Sequence, residues 1–97
     1  MKKISVVVCV YNEEENIKPL IQQISEALAE IDYEIIYVDD GSTDNTVNEI
    51  ISAKHPRLTL IEFKNNYGQS SALAAGINHA NGKYIVLLDG DLQNDPT

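Results

Sequence analysis

Four short apolar runs alternate along the chain with three segments of helical periodicity, and this alternation constrains the fold more than any other feature. The runs occupy residues 4–10, 33–38, 58–63 and 84–88 and are rich in β-branched and aromatic residues, which favours strands. The first is almost continuously β-branched, as is typical of a strand covered on both faces. Strands that alternate with helices connect through right-handed crossovers into a mainly parallel sheet. The sequence therefore predicts an α/β fold, a parallel sheet with helices on both faces, with 84–88 as a buried strand.

The helices are predicted from apolar side chains that recur at steps of three and four residues. The first spans residues 16–30, and Asn16 is a candidate for its N-cap. The apolar face is formed by Val47, Ile50 and Ile51 in the second helix and by Ala72, Leu73, Gly76, Ile77 and Ala80 in the third. Because the third set contains small residues, we expect that helix to lie close to the sheet.

Composition and charge narrow the classes of function. The chain has 97 residues, enough for one domain, and carries 15 acidic against 7 basic residues, a formal net charge of -8. This balance argues against nucleic acid and anionic membranes as partners and suits a cation. Because Cys9 is the only cysteine, no intrachain disulfide can form, and a reducing, cytoplasmic compartment fits best. No apolar run approaches the roughly 20 residues of a membrane helix, so we expect a soluble chain.

Polar clusters follow three of the predicted strands. They are Tyr-Asn-Glu at 11–13, Asp-Asp at 39–40 and Asp-Gly-Asp at 89–91. Because the carboxyl ends of parallel strands meet at one edge of a sheet, and because such sheets bind ligands beyond that edge, we expect the three clusters to form one site. An aromatic face at Tyr11 and carboxylate acceptors at 39–40 suit a nucleobase and its imino proton.

Asp89 and Asp91 are candidates for a divalent metal site. Side chains two apart in an extended chain point the same way, and Gly90 between them leaves room for a ligand. Oxygen ligands are those that Mg²⁺ and Mn²⁺ prefer, and such an ion allows an acidic site to hold a diphosphate. The simpler interpretation is a solvated acidic turn.

Four ordered motifs give the sequence a family resemblance. They read Val-Val-Cys-Val-Tyr-Asn-Glu-Glu at 7–14, Val-Asp-Asp-Gly-Ser-Thr-Asp at 38–44, Asn-Tyr-Gly at 66–68 and Leu-Asp-Gly-Asp-Leu-Gln at 88–93. In order and spacing they resemble the nucleotide-binding half of the family 2 inverting glycosyltransferases. The resemblance covers nearly the whole chain and implies the Rossmann-like glycosyltransferase A fold.

The resemblance and the strand ends together give a set of candidate site residues. Those for substrate binding are Tyr11, Asn12, Glu13, Asp39, Asp40, Asn66, Gly68 and Asp89. By resemblance, Tyr11 and Glu13 contact the nucleoside, Asp40 pairs with the base and Asn66 and Gly68 shape the donor pocket. The candidates for the metal, Mg²⁺ or Mn²⁺, are Asp89, Asp91 and Gln93, with Asp91 as the direct ligand.

The resemblance also implies what the chain would take part in. The reaction is the metal-dependent transfer of a sugar from a UDP- or GDP-linked donor. The last motif looks most like the branch of the family whose acceptor is a polyprenyl or dolichyl phosphate. The acceptor-binding half, which carries the general base, would follow Thr97, so the catalytic residue is unknown. We therefore expect residues 1–97 to be the nucleotide-sugar-binding portion of a glycosyltransferase domain, inactive alone, from a protein that can associate with the cytoplasmic face of a membrane.

Two other classes stay open. A non-catalytic nucleotide-binding or assembly fragment would share the same motifs. A phosphatase of the haloacid dehalogenase type also carries Asp-x-Asp at a strand end, but on an early strand and with Thr or Val where this chain has Gln93.

If the first strand lies between the second and the fourth, the outer edge of the fourth is bare. Since bare edges seek partners, we expect a homodimer through this edge or through an exposed face that would bind a helix.

Overall fold

The computed structural model describes residues 3–89, and it has the α/β architecture that the sequence predicts. In that range the strands are β1 Ile4–Val10, β2 Tyr33–Asp39, β3 Leu58–Glu62 and β4 Tyr84–Asp89, and the helices are α1 Ile17–Ala27, α2 Thr46–Ala53 and α3 Gln69–His79. A 3₁₀ turn, Glu14–Asn16, precedes α1. Of the candidate metal ligands, Asp91, Gln93 and the side chain of Asp89 lie outside the described residues.

The described strands form one parallel sheet in the order β3-β2-β1-β4. β1 thus lies between β2 and β4, as the edge argument requires. Val10 is in register with Asp39, and Cys9 with Asp89. The carboxyl ends of β1, β2 and β4 therefore reach the same edge of the sheet, where the polar clusters were expected.

The alternation of side chains along the strands gives the sheet two apolar layers. On one face Val6, Val8 and Val10 pack with Ile17 and Ile50, so α1 and α2 cover this side. On the other face, Val7, Ile36 and Val38 pack with Ala72 of α3. Helices on both faces explain why β1 and β2 need apolar residues at almost every position.

Helix α3 approaches the sheet closely at Gly76, as its small residues predict. A methyl group placed on this glycine would lie 2.3 Å from Cγ1 of Val7 and 3.3 Å from Cγ2 of Val38. The absence of a side chain at Gly76 therefore sets the distance between α3 and β1.

All three helices differ from the sequence prediction in detail, and in α3 the difference is that Ile77, expected on the apolar face, is exposed. α1 ends at Ala27, not at 30, because residues 28–32 turn back so that β2 can begin beside β1, with Ile31 donating its N–H to the Leu28 carbonyl. Asn16 precedes α1 but makes no capping hydrogen bond with its side chain. Ile51, expected on the apolar face of α2, is exposed.

β4 is not the buried strand that its apolar run suggested. Tyr84, Ile85, Val86 and Leu87 are 55%, 42%, 40% and 48% exposed. The reason is position: β4 is the outer strand of the described sheet and has β1 as its neighbour on one side. Leu88 alone of this apolar run packs partly against the core beneath α1 and α2. No helix within residues 3–89 is long and apolar enough to cross a membrane.

Candidate functional site

The site begins with a tight turn at the end of β2. Asp39 is almost fully buried, and its carboxylate accepts the backbone N–H of Ser42 at 3.0 Å and the Ser42 hydroxyl. Gly41 has a φ of +80°, in the region that favours glycine. A methyl group on Gly41 would lie 2.6 Å from the carbonyl carbon of Asn65, so the β3–α3 loop packs directly against this turn.

Asp40 ties the β3–α3 loop to the same turn. One oxygen of its carboxylate accepts the backbone N–H of Tyr67 at 2.8 Å and the other accepts that of Gly68 at 3.0 Å. Asp40 is buried, while Tyr67 is exposed. Because an ionised carboxylate accepts several hydrogen bonds, both oxygens retain capacity for a further donor.

The β1–α1 loop is joined to the β2–α2 loop through Asn12. Its backbone has a φ of 54°, which is uncommon for a residue other than glycine. The Asn12 N–H donates to Oγ of Ser42 at 2.8 Å, and its side-chain oxygen accepts the N–H of Thr43 at 2.8 Å. Tyr11, directly before it, is 44% exposed at the edge of the sheet.

A second set of bonds between the same two loops encloses an acidic cavity. The Glu13 N–H donates to the buried hydroxyl of Thr46 at 2.9 Å, and the N–H of Asn45 donates to Oε1 of Glu14 at 2.9 Å. The Glu13 carboxylate accepts the Asn16 side-chain amide at 2.8 Å. The cavity has a volume of about 320 Å³ and is lined by Asn12, Glu13, Glu14, Glu15, Asn16 and Asp44.

Asp44 closes the β2–α2 loop onto the first turn of α2. Its carboxylate accepts the Thr46 N–H at 2.9 Å and the Thr46 hydroxyl at 2.5 Å. Desolvation raises the pKa of Asp44, but the hydrogen bonds from Thr46 and contacts with Glu14 outweigh it and hold the pKa below its usual value. Asp44 thus holds the first residue of α2, Thr46, while Asn45 at the N-cap position makes no side-chain capping bond.

The structure brings most of the sequence candidates to one edge. Asp39 ends β2, and the backbone of Asp89 ends β4 at the same edge. The loops that follow β1, β2 and β3 contain Tyr11, Asn12, Glu13, Asp40, Asn66 and Gly68. Within residues 3–89, no group of three His, Cys, Asp or Glu side chains could hold a metal ion. The predicted metal ligands fall largely outside that range.

Three residues of the site were not singled out from the sequence as site residues: Ser42, Thr46 and Tyr67. Ser42 and Thr46 belong to a Gly-Ser-Thr-Asp-Asn-Thr run, residues 41–46, whose hydroxyls were given no role in the site from the sequence. The sequence did contain a signal for them. One capping hydroxyl is enough for one helix N-terminus, and this run contains both Ser42 and Thr46. For Tyr67 the signal was its position, since it is an aromatic residue between the two candidates Asn66 and Gly68.

The arrangement can hold a ligand that offers donors and a flat aromatic face. Its loops, residues 11–16, 40–46 and 64–68, contain Lys64 as their single basic residue, against five Asp or Glu: Glu13, Glu14, Glu15, Asp40 and Asp44. Asp39, at the end of β2, adds a sixth carboxylate directly before the turn. Bare phosphate is poorly matched to this charge. A phosphate accompanied by a divalent cation is well matched.

A parallel sheet with helices on both faces, and loops gathered at the carboxyl ends of its strands, defines a Rossmann-like α/β domain. Residues 5–97 match the sequence profile of Glycosyl transferase family 2. The chain therefore belongs to glycosyltransferase family 2. The phosphatase interpretation is set aside by this assignment.

Solved structures of similar proteins agree. A mannosyltransferase from Pyrobaculum calidifontis, in complex with GDP-Man and Mn²⁺, is 31% identical with a TM-score of 0.81, over 93% of this chain and 28% of that one. S. aureus TarS in complex with UDP-GlcNAc is 25% identical with a TM-score of 0.79, over 92% of this chain and 26% of that one. Glucosyl-3-phosphoglycerate synthase from Mycobacterium tuberculosis, with Mn²⁺, UDP and phosphoglyceric acid, is 28% identical with a TM-score of 0.78, over 93% and 33%. The chain thus spans a third or less of the length of these three proteins.

Proposed function

We propose that residues 1–97 are the donor-binding portion of a metal-dependent enzyme that transfers a sugar from a nucleotide-diphosphate sugar to an acceptor. The observation that carries the proposal is the bonded set of three strand-end loops, in which Asn12, Ser42 and Asp40 fix the loops to one another. Such a framework holds a ligand without first having to order its loops, which lowers the entropic cost of binding. The family assignment and the nucleotides bound by similar proteins support it.

The roles proposed for single residues follow their positions. Tyr11 is exposed beside Asp40 and presents an aromatic face to the nucleoside. Asp40 uses its remaining lone pairs for the imino N–H of the base, and Gly68 leaves the pocket open, since no atom lies within 4 Å of a methyl group placed there. Asn12 and Asp39, whose oxygens bond the neighbouring loop, act through the shape of the pocket.

The metal is assigned to Asp89, Asp91 and Gln93. Their oxygen atoms are of the type that Mg²⁺ and Mn²⁺ prefer. When bound, the ion would stabilise the negative charge of the departing diphosphate. The chain's own part is to hold the nucleoside in the loops beside β1 and β2, so that the diphosphate reaches the end of β4.

The acceptor proposed is a polyprenyl or dolichyl phosphate, because Asp-Leu-Gln at 91–93 followed by Asp95-Pro96 resembles that branch of the family. The general base on the acceptor hydroxyl or phosphate is proposed to come from sequence after residue 97. The protein would then work on the cytoplasmic side of a membrane.

Calorimetric titration of UDP and GDP into the chain, with and without Mn²⁺, tests the proposal. We expect one nucleotide to bind only with the metal, and Asp91→Ala to weaken that binding by at least about tenfold. Asp32→Asn is the matched control, because Asp32 pairs with Arg57 at the opposite end of the sheet and should not change the affinity.

Each result has a distinct meaning. Binding of neither nucleotide by a folded chain would contradict the proposal for these residues. Binding without sugar transfer to an added lipid phosphate would fit a donor-binding portion. Transfer from a UDP- or GDP-linked sugar by the chain alone would contradict the expectation that the base comes from elsewhere. An inverting displacement needs an attacking oxygen that is in line with the leaving group and a base that takes its proton.

A further inference from the structure

Tyr67 is an exposed aromatic residue that no role assigned so far explains. It is 60% exposed, in the loop between β3 and α3. Its ring packs edge-on against Phe63, with ring centroids 5.6 Å apart and planes at 76°. Phe63 itself packs against the core beneath α3. The ring of Tyr67 is therefore anchored on one side and open to a ligand on the other.

Asp40 fixes where Tyr67 lies. The carboxylate holds the backbone N–H groups of Tyr67 and Gly68, and the close contact of Gly41 with Asn65 leaves the loop little room to move. Connecting loops on a protein surface are usually mobile, whereas this loop is held by hydrogen bonds to a buried carboxylate. The position of the aromatic ring is thus set by a buried side chain.

Asp40 also lies between two exposed tyrosines. On the side of β1, the N–H of Asp40 donates to the carbonyl of Val10 at 2.9 Å, and Tyr11 is the next residue. On the side of β3, its carboxylate holds the backbone of Tyr67. In the strand order β3-β2-β1, Asp40 therefore lies between the backbone segments that carry Tyr67 and Tyr11.

We propose that Tyr67 supplies a second aromatic face to the nucleobase pocket already assigned to Tyr11 and Asp40, and that Asp40 is the positioning residue for Tyr67. The inference rests on the proposed binding of a nucleotide diphosphate. A base offers a flat π-face to each ring and an imino N–H to the carboxylate, which matches the three groups in kind and in order. Tyr67 then contributes to affinity for the base and not for the diphosphate.

Titration with a ligand that lacks the base separates this role from a general one. We expect Tyr67→Ala to weaken UDP or GDP binding in the presence of Mn²⁺ by about tenfold, since stacking on an aromatic side chain contributes on that scale. Its affinity for Mn²⁺-pyrophosphate should change by less than about twofold, because pyrophosphate offers nothing to stack. Tyr67→Phe should keep the affinity for the nucleotide, and Tyr84→Ala, an exposed tyrosine at the opposite end of the sheet, is the matched control.

The outcomes distinguish this inference from the proposed function. If the wild-type chain binds a nucleotide and Tyr67→Ala binds it equally well, the pocket is wrong and the function stands. An equal loss of affinity for pyrophosphate would also overturn the inference, because the substitution would then act on the whole site. If a folded wild-type chain binds neither UDP nor GDP, both proposals fail.

Hydrogen exchange of the free chain tests the positioning role without any ligand. In Asp40→Asn one oxygen of the carboxylate becomes an amide donor, so at least one of the Tyr67 and Gly68 N–H groups should exchange about five- to tenfold faster. Asp32→Asn is the control, because Asp32 pairs with Arg57 at the opposite end of the sheet and its substitution should leave these two amides unchanged. Unchanged exchange at both amides in Asp40→Asn would show that Asp40 does not hold the loop, and would overturn its assigned role.

Discussion

At the scale of single residues, the clearest anomaly is the phenol of Tyr37. This side chain is fully buried in the layer beneath α1 and α2, and its hydroxyl has no hydrogen-bond partner among the described residues. Burial raises the pKa of Tyr37, so the group is neutral throughout the physiological range. A buried hydroxyl without a partner loses its hydration and gains nothing in exchange.

Tyr37→Phe should therefore stabilise the protein. We expect the free energy of unfolding to rise by about 1 kcal/mol, because the substitution removes an unsatisfied polar group and keeps the ring. Urea denaturation measures the change. Tyr33→Phe is the matched comparison, since the Tyr33 hydroxyl lies 3.3 Å from Nε2 of His55 and its removal should not stabilise. Equal effects of the two substitutions, or a destabilised Tyr37→Phe, would contradict this account.

At the scale of elements, periodicity predicted each strand and helix because each must bury an apolar face. Residues 4–10 were bounded correctly, since β-branched residues on both faces leave little choice but a covered strand. The end of α1 and the exposure of Ile51 were missed because helix ends and single faces depend on where the next element lies. The burial of 84–88 was overestimated for the same reason, as composition does not reveal that a strand lies at an edge.

The packing of α3 on β1 gives a prediction at this scale. Gly76→Ala should lower the free energy of unfolding by about 1 to 3 kcal/mol, because the new methyl group would meet Val7 and the helix must move away from the sheet. This outweighs the roughly 1 kcal/mol that alanine gains over glycine in helix propensity. Ser71→Ala, at an exposed position of the same helix, is the control and should change stability by less than about 0.5 kcal/mol. A stabilised Gly76→Ala would mean that the contact is not tight.

At the scale of the whole molecule, the sequence predicted which edge carries the site because parallel strands must share a carboxyl end. It did not predict how the loops at that edge are joined. Hydrogen bonds such as those from the Asn12 N–H to Ser42 and from the Tyr67 N–H to the Asp40 carboxylate link residues 27 to 31 positions apart. No local sequence pattern indicates such pairs. From the sequence alone, Asp40 was therefore interpreted as a carboxylate without hydrogen-bond donors from the protein.

The outer edge of β4 has backbone N–H and C=O groups that can pair with β4 of a second copy of the chain. The Tyr84 N–H donates to the carbonyl of Lys3, directly before β1, so alternation along the strand points the N–H and C=O groups of Ile85 and Leu87 away from the sheet. An antiparallel pair of β4 strands centred on Val86 would set Ile85 opposite Leu87 of the second copy. The residues with outward backbone groups would then pair with one another, as an antiparallel ladder requires.

We therefore expect the chain to form a dimer through β4, and a lysine on that edge to prevent it. Leu87→Lys should yield a monomer by light scattering with size exclusion, because two lysines near the centre of the pair would repel and lose hydration. Ile51→Lys, which changes an exposed isoleucine on α2, is the matched control and should remain dimeric. A wild-type monomer at high concentration, or a Leu87→Lys variant that still dimerises, would show that the β4 edge is not the interface. The outward N–H and C=O groups of Ile85 and Leu87 favour this one register, whereas exposed apolar side chains alone would not select one register among several.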